Sequence, residues 1–435
     1  MGGVVSFENA EIIYVAEDGA IGLTESFASR FENDMPFDIK RPMVTRKHET
    51  LIKENWSAIC QGTSAFDAVK HLTPTKFFYR TFYNILFEMA PSLRPIFRSS
   101  MTVQGKSLAG IIKTLATVIN GANIVKASQE LAKRHLKYGA KKDHYTAVGQ
   151  ILLQTLEIVS GDKWTPEIST AYLTAYSLIY FVMLPVILNN EPVEITESLP
   201  ATISKSEPIS ATAKRLTLTF DFNLRFHPGD AILLGLPVAE GGEVKRHYTI
   251  ASLSVEGTNT IDIVVDDVSA SSHWLVTQAT GATLKLYWIE SNVRFEIDSP
   301  ESIPSNVVFV SHGVGCVPFL VMLEGLYRIR ETFHGSAVTL QVAPNQADVD
   351  AYTSAVTSTE KPIEWESRSI HYAPTVSADK LKDIAPNLAH SDLYVCGPAD
   401  FIATTEEAFV AAGGSKDRIH VYSFDNAQLG ARKIE

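Results

Sequence analysis

Cysteine is nearly missing: the 435 residues hold three, Cys60, Cys316 and Cys396, odd in number and far apart. That excludes a disulfide framework and points to a reducing, cytoplasmic compartment. Basic tracts are missing too. With a formal charge of −11 at pH 7, the chain has no cationic footprint for a phosphate backbone, so no nucleic-acid partner is expected. Neither a secretory leader pattern, an internal repeat nor a low-complexity tract can be seen. One stretch, Ala171 to Leu188, lacks charge altogether over a length close to that of a membrane span. Its tyrosines Tyr172, Tyr176 and Tyr180, its Pro185 and its want of a basic flank predict instead a helix buried on two sides.

What is present is ordinary for a globular protein, 45% hydrophobic and 20% charged residues, in a chain long enough for two or three domains. Residues 1–44 form an extension without a sustained period, and no chemistry is assigned to it. Its start, through Gly2 to Ser6, fits the acylation pattern, with Lys40, Arg41, Arg46 and Lys47 as a second, electrostatic signal; a membrane contact is expected only if Gly2 is acylated. Residues 45–191 are helical in pattern: Leu51, Ile52, Trp56 and Ile59 recur at three- and four-residue steps, as do Ile111, Ile112, Leu115, Val118 and Ile119. Residues 192–303 change to short alternating runs at 215–221, 260–265 and 283–288, punctuated by Pro228-Gly229 and Gly241-Gly242, which predicts a small antiparallel barrel. Residues 304–435 alternate apolar strands at 306–310, 337–342 and 393–396 with helical segments, hence a parallel sheet covered on both faces. The fold class is therefore multidomain: an all-α domain, an antiparallel β-barrel, then an α/β parallel-sheet nucleotide-binding domain.

Several residues carry candidate chemistry. A lone histidine on a helix is more often a surface or core residue than a ligand, yet His135 follows Arg134 and precedes Tyr145 by ten residues, in a segment that also contains Tyr83, Phe97 and Gln104. A neutral imidazole can bind iron through one nitrogen while a partner on the other raises its electron donation. In Arg246-His-Tyr-Thr249 alternate side chains of a strand face one way, so Arg246 and Tyr248 can address one ligand together. The loop Ser311-His-Gly313-Val-Gly315-Cys-Val-Pro318 directly follows an apolar strand and precedes a helix opened by Pro318, the setting in which helix-end amides attract phosphate.

Together these residues resemble flavohemoglobins, over about residues 45 to 428 and in that family's domain order. The resemblance implies a globin that binds haem b through His135, with Tyr145 behind the ligand, Tyr83 and Gln104 on the opposite, gas-binding side, and Phe97 stacked on the porphyrin. It implies FAD held by Arg246 at the pyrophosphate, Tyr248 at the ribityl side and Thr249 near N5, with Ser272 and Trp274 in a phosphate-cradling turn. Gly313 and Gly315 would cradle NADH or NADPH, Cys396, Gly397 and Pro398 would lie where nicotinamide meets flavin, and Phe424 would cover the flavin. NADH is favoured, because Pro344 to Asp348 offers no basic cluster for a 2′-phosphate. The implied activity is nitric oxide dioxygenation: electrons pass from NAD(P)H through FAD to haem, and O2 and NO become nitrate. The expected partners are these small gases, with no obligate protein partner. Departures from the family are Asn189 or Asn190 for a glutamate, Ala231 for a tyrosine, Val317 for a threonine, Tyr422 for a glutamate, and no glycines before Ser272. They leave two alternatives: a haem-based gas-binding or sensing protein with a weakened reductase module, or a flavin-dependent haem or ferric reductase.

Overall fold

A computed structural model describes residues 11–68, 73–97, 99–120, 123–192, 196–221, 224–237, 242–255, 258–356 and 368–424. Gly2 and its acylation pattern lie outside them. The chain divides into two compact units, the first reaching Thr196 apart from a short piece at 98–101, the second running on from Glu197.

In the first unit the residues before Thr45 form β1 (Ile13–Val15), β2 (Ile21–Leu23), α1 (Glu25–Phe31) and β3 (Met43–Val44), the strands making one antiparallel sheet in chain order. Six longer helices follow: α2 (Arg46–Gln61), α3 (Pro74–Met89), α4 (Met101–Leu115), α5 (Ile124–Lys137), α6 (Lys142–Ser160) and α7 (Pro166–Asn189). Their starts are written in the sequence. Thr45, Thr73 and Thr165 each accept a hydrogen bond from the amide three residues on, and Pro74 and Pro166 occupy the first turn, where a missing N–H costs nothing. The uncharged run is α7. It is long and apolar enough to cross a membrane, but 67% of that stretch is buried within the unit, packed against α2, α5, α6 and β3. Even its polar side chains are enclosed: Tyr172 Oη donates to Asn55 Oδ1 at 3.1 Å, and Asn55 donates to Ser160 Oγ at 3.0 Å.

The second unit begins with β4 (Leu199–Pro208), β5 (Ala213–Thr219), β6 (Ala231–Pro237), β7 (Glu243–Thr249), β8 (Thr260–Asp266), the short α8 (Ala270–Val276) and β9 (Thr283–Glu290). The order β7-β6-β9-β4-β5-β8 is antiparallel throughout, and a bridge from Ile250 to Ile263 brings the end of β7 back to β8. Alternation supplies the interior: Leu216 and Leu218, Ile232 and Leu234, Ile261 and Ile263 point into one core. Next come β10 (Asn306–His312), α9 (Val317–Arg328), β11 (Ser336–Val342), α10 (Gln346–Val356), β12 (Arg368–Ala373), α11 (Ala378–Ile384), β13 (Asp392–Cys396), α12 (Ala399–Ala411) and β14 (Ile419–Val421). These five strands are parallel in the order β12-β11-β10-β13-β14. The order reverses between β10 and β13, and at such a point the carboxyl ends of an open sheet leave a crevice for ligands.

Barrel and sheet share an apolar core in which Ala213, Ala251 and Val264 of the barrel half meet Phe309, Phe319 and Tyr352. Hydrogen bonds reinforce it: Tyr352 Oη donates to Asp266 at 3.0 Å and Arg215 to the Ala355 carbonyl at 2.8 Å. The tightest approach is at the turn before β6. Gly229 has φ +96°, and a Cβ there would strike Met322 of α9, the Val293 carbonyl and the Arg294 backbone, so only glycine suits both the backbone and the space.

Candidate functional site

Helix α5 ends at Lys137, and α6 starts five residues later. This tight corner turns the ten-residue spacing into contact: Tyr145 Oη lies 3.2 Å from His135 Nδ1, so the imidazole's Nε2 is the nitrogen left for a ligand. The ring of His135 is kept neutral, its pKa pushed down to about 4 by burial and then by the neighbouring Arg134 charge; a neutral imidazole is the metal-binding form. Tyr83 and Phe97 also come together. The Tyr83 ring, 3% exposed, meets Phe97 edge-on at 5.5 Å and Phe87 at 5.8 Å. Burial raises its pKa, so it stays a protonated donor, and its hydroxyl bonds to none of the described residues. A donor held in an aromatic setting with no protein acceptor suits an incoming polar ligand. Gln104 lies on α4 next to Gly105, where that helix meets α3. A Cβ at Gly105 would overlap the Tyr79 ring, so α3 and α4 touch there backbone to ring. Tyr79 is one helical turn from Tyr83, on the same face.

Sequence reasoning missed the side of this site that comes from α7. Asn189 and Asn190, assigned to the glutamate position, are exposed at the helix end, where Asn190 donates to the Val186 carbonyl at 2.8 Å. Tyr145 is met instead by Tyr180, ring centroids 5.5 Å apart, and by Tyr176, whose Oη donates to the Tyr145 carbonyl at 2.7 Å. The Tyr180 hydroxyl is buried without a hydrogen-bond partner among the described residues. No signal distinguished these tyrosines from core, because the stretch around them carries no charge and is mostly apolar.

In the barrel, Arg246 and Tyr248 alternate along β7 as expected. Arg246 donates only to the Lys245 carbonyl at 2.9 Å and pairs with no carboxylate among the described residues, leaving its charge for an anionic ligand. Tyr248 packs against the barrel core, and burial pushes its phenol up to about 12. Thr249 Oγ1 lies 2.9 Å from Tyr422 Oη, so the residue that departs from the family latches the strand end. Phe424 stacks on His247 at 4.4 Å and 16°, and His247 in turn pairs with Glu290 at 2.7 Å. Ser272 is committed locally: its Oγ accepts from the amides of Val268 and Ser269 at 3.0 and 2.9 Å, within the capping box of α8. That replaces the glycines expected in this turn by a side-chain-built one.

The sheet supplies the third group. Gly313 has φ +54°, and a Cβ on Gly315 would lie 3.0 Å from both Cys396 Sγ and its carbonyl, so the loop after β10 presses on the end of β13. A Cβ on Gly397 would lie 2.5 Å from the Phe401 ring and 3.0 Å from His312 Cβ, and Pro398 stands at the N-cap of α12. The Ser311 hydroxyl at the end of β10, just before this loop, is fully buried and has no hydrogen-bond partner among the described residues. Burial pushes the Cys396 thiol up to about 12, which makes it a poor nucleophile.

Fold and site define a class: a globin-type helical unit followed in one chain by the barrel and parallel sheet of a flavin- and nicotinamide-dependent reductase. The globin family profile matches residues 80–183. The flavohemoprotein of Vibrio cholerae is 24% identical over 423 residues, covering 89% of this chain and all of that one. The flavohemoprotein of Rhodopirellula baltica is 23% identical, covering 82% and 95%. A solved flavohemoglobin from Malassezia yamatoensis, with bound FAD and heme, aligns over 86% of this chain and 98% of its own, at 16% identity and a TM-score of 0.42. Over most of its length, then, the chain is similar to flavohemoproteins, and its helical unit matches the globin family.

Proposed function

We propose that this protein is an NAD(P)H-dependent nitric oxide dioxygenase that uses haem b and FAD to convert NO and O2 to nitrate. The observation that carries the reading is the pairing of His135 with Tyr145 in the same helical unit as the unbonded Tyr83 phenol, in a chain that also brings Gly315 to Cys396. Haem, when bound, supplies the gas-binding iron, and flavin splits a two-electron donor into single electrons. His135 would hold the iron through Nε2, its Nδ1 engaged by Tyr145 so that the ring is fixed and more basic. Phe97 and Phe87, in contact with each other and with Tyr83, would help to hold a porphyrin and keep water from it. Tyr83 would donate its proton in a hydrogen bond to the gas ligand, and Gln104 would act on the same side; in a dry pocket such a bond strengthens. Arg246 would bind the FAD pyrophosphate and Tyr248 the ribityl side, while Thr249 and Phe424 would hold the flavin's edge and Cys396 would help to hold nicotinamide.

The deciding experiment is an anaerobic visible spectrum of the pure protein before and after NADH, followed by O2 and NO. Flavin bleaching, conversion to ferrous haem and NO-dependent nitrate formation are expected. Haem without flavin and without a response to NADH would replace this reading by a gas-binding one. Reduction without nitrate would leave a haem reductase. The His135→Ala protein is expected to purify without haem, and a normal haem spectrum in it would remove His135 as the ligand.

A further inference from the structure

The extension before the helices grips α6, the helix that carries Tyr145, on both sides of that residue. Lys142, three residues before Tyr145, pairs with Asp34 at 2.7 Å. Gly149, four residues after it, is the notch into which the extension inserts an aromatic ring: a Cβ at Gly149 would lie 2.8 Å from Phe37 Cζ and 2.7 Å from the Tyr176 ring. Positions 142, 145 and 149 are spaced by one helical turn each, so both grips lie on the stripe of α6 that carries Tyr145. Phe37 meets the Tyr176 ring edge-on at 5.9 Å and 82°, and Tyr176 Oη donates at 2.7 Å to the Tyr145 carbonyl, which the helix also offers to the Gly149 amide. The ion pair is partly exposed and contributes little; the half-buried ring packed in the notch is the stronger hold.

We propose that Asp34 and Phe37 are positioning residues: the extension braces Tyr145 against His135 and thereby sets how strongly the imidazole donates to iron. The Tyr145–His135 contact is sensitive to such a brace. At 3.2 Å it stands at the long end of the usual range, so a displacement of a few tenths of an ångström decides whether the bond is made. The inference rests on the reading of His135 as the haem ligand.

The test is the iron–histidine stretching band in the resonance Raman spectrum of the full, haem-loaded ferrous chain without gas. Phe37→Ala is expected to lower the band in the same direction as Tyr145→Phe, and the double variant to show no shift beyond Tyr145→Phe alone. Phe37→Leu fills the notch and keeps the fold while losing the aromatic edge contact, and a partial shift is expected. In the haem-free protein, amide hydrogen exchange over 142–149 should quicken in Phe37→Ala. A band unmoved by either Phe37 variant, while Tyr145→Phe moves it, would overturn the brace. The ligand assignment is checked apart: His135→Gly should lose the band and regain one with added imidazole, and a band that survives His135→Gly would overturn that assignment instead.

Discussion

Burial holds His135 neutral down to about pH 4, whereas an exposed imidazole takes up its proton near pH 6.5. Between those values the unfolded chain binds more protons than the folded one, so stability falls as pH drops through that window and is restored above it, by at most about 1.4 kcal/mol per pH unit. Urea unfolding of the haem-free protein at pH 7, 5.5 and 4.5 should show this slope, and His135→Gln should flatten it; equal slopes would mean that His135 is solvated. Tyr83 has the complementary role of a donor that never ionises in the physiological range. Losing a hydrogen bond to a charged acceptor costs about 1.5–3 kcal/mol, so Tyr83→Phe is expected to speed O2 loss from the ferrous protein by roughly ten- to a hundredfold. Stopped-flow dissociation rates measure it, and an unchanged rate would take Tyr83 out of the mechanism. At this scale the sequence was readable where a spacing met a turn, as in His135 and Tyr145, or an alternation, as in Arg246 and Tyr248. It was silent on Tyr176 and Tyr180, whose polar ends look like core in an uncharged, mostly apolar stretch, and misleading on Asn189, because counting along α7 does not reveal which of its faces meets Tyr145.

Among the elements, those with a long period announced themselves. The helices from α2 to α7 and the alternating strands β5, β8 and β9 lie where their patterns placed them, whereas β1, β2, β3 and β14 have three residues or fewer, too short to display alternation. Strand β12, Arg368–Ala373, is half-buried along most of its length and mixes polar with apolar residues, so only its pairing with β11 defines it. The contacts between elements were hidden in glycines that read as ordinary turns or helix interruptions. Gly229 is the sharpest example, where positive φ and contact with α9 coincide. Gly229→Ala should cost about 1–3 kcal/mol and lower the Tm of the flavin-free protein's reductase unit; a Tm within a degree of the parent would show that α9 can retreat.

For the molecule as a whole, the order of three textures along the chain, helical, alternating, then mixed, conveyed the architecture before any motif was weighed. Each unit encloses its own candidate site, and a ligand that binds only the folded form stabilises the unit it enters. Haem at a hundredfold its Kd is expected to add about 2.7 kcal/mol to the helical unit, with FAD acting on the transition of the barrel and sheet. Calorimetry with each cofactor in turn reads this directly, and a shift of the helical transition by FAD alone would contradict the assignment of sites to units.

Gly149 carries a consequence for descent. Its bare Cα leaves room for a ring that arrives from more than a hundred residues upstream, so the two positions are bound to change together. A descendant that sheds the segment around Phe37 inherits a hole on α6 and gains by filling it. One that first enlarges residue 149 expels the segment and leaves it free to decay. In an alignment of relatives, a glycine at this place should therefore travel with the extension.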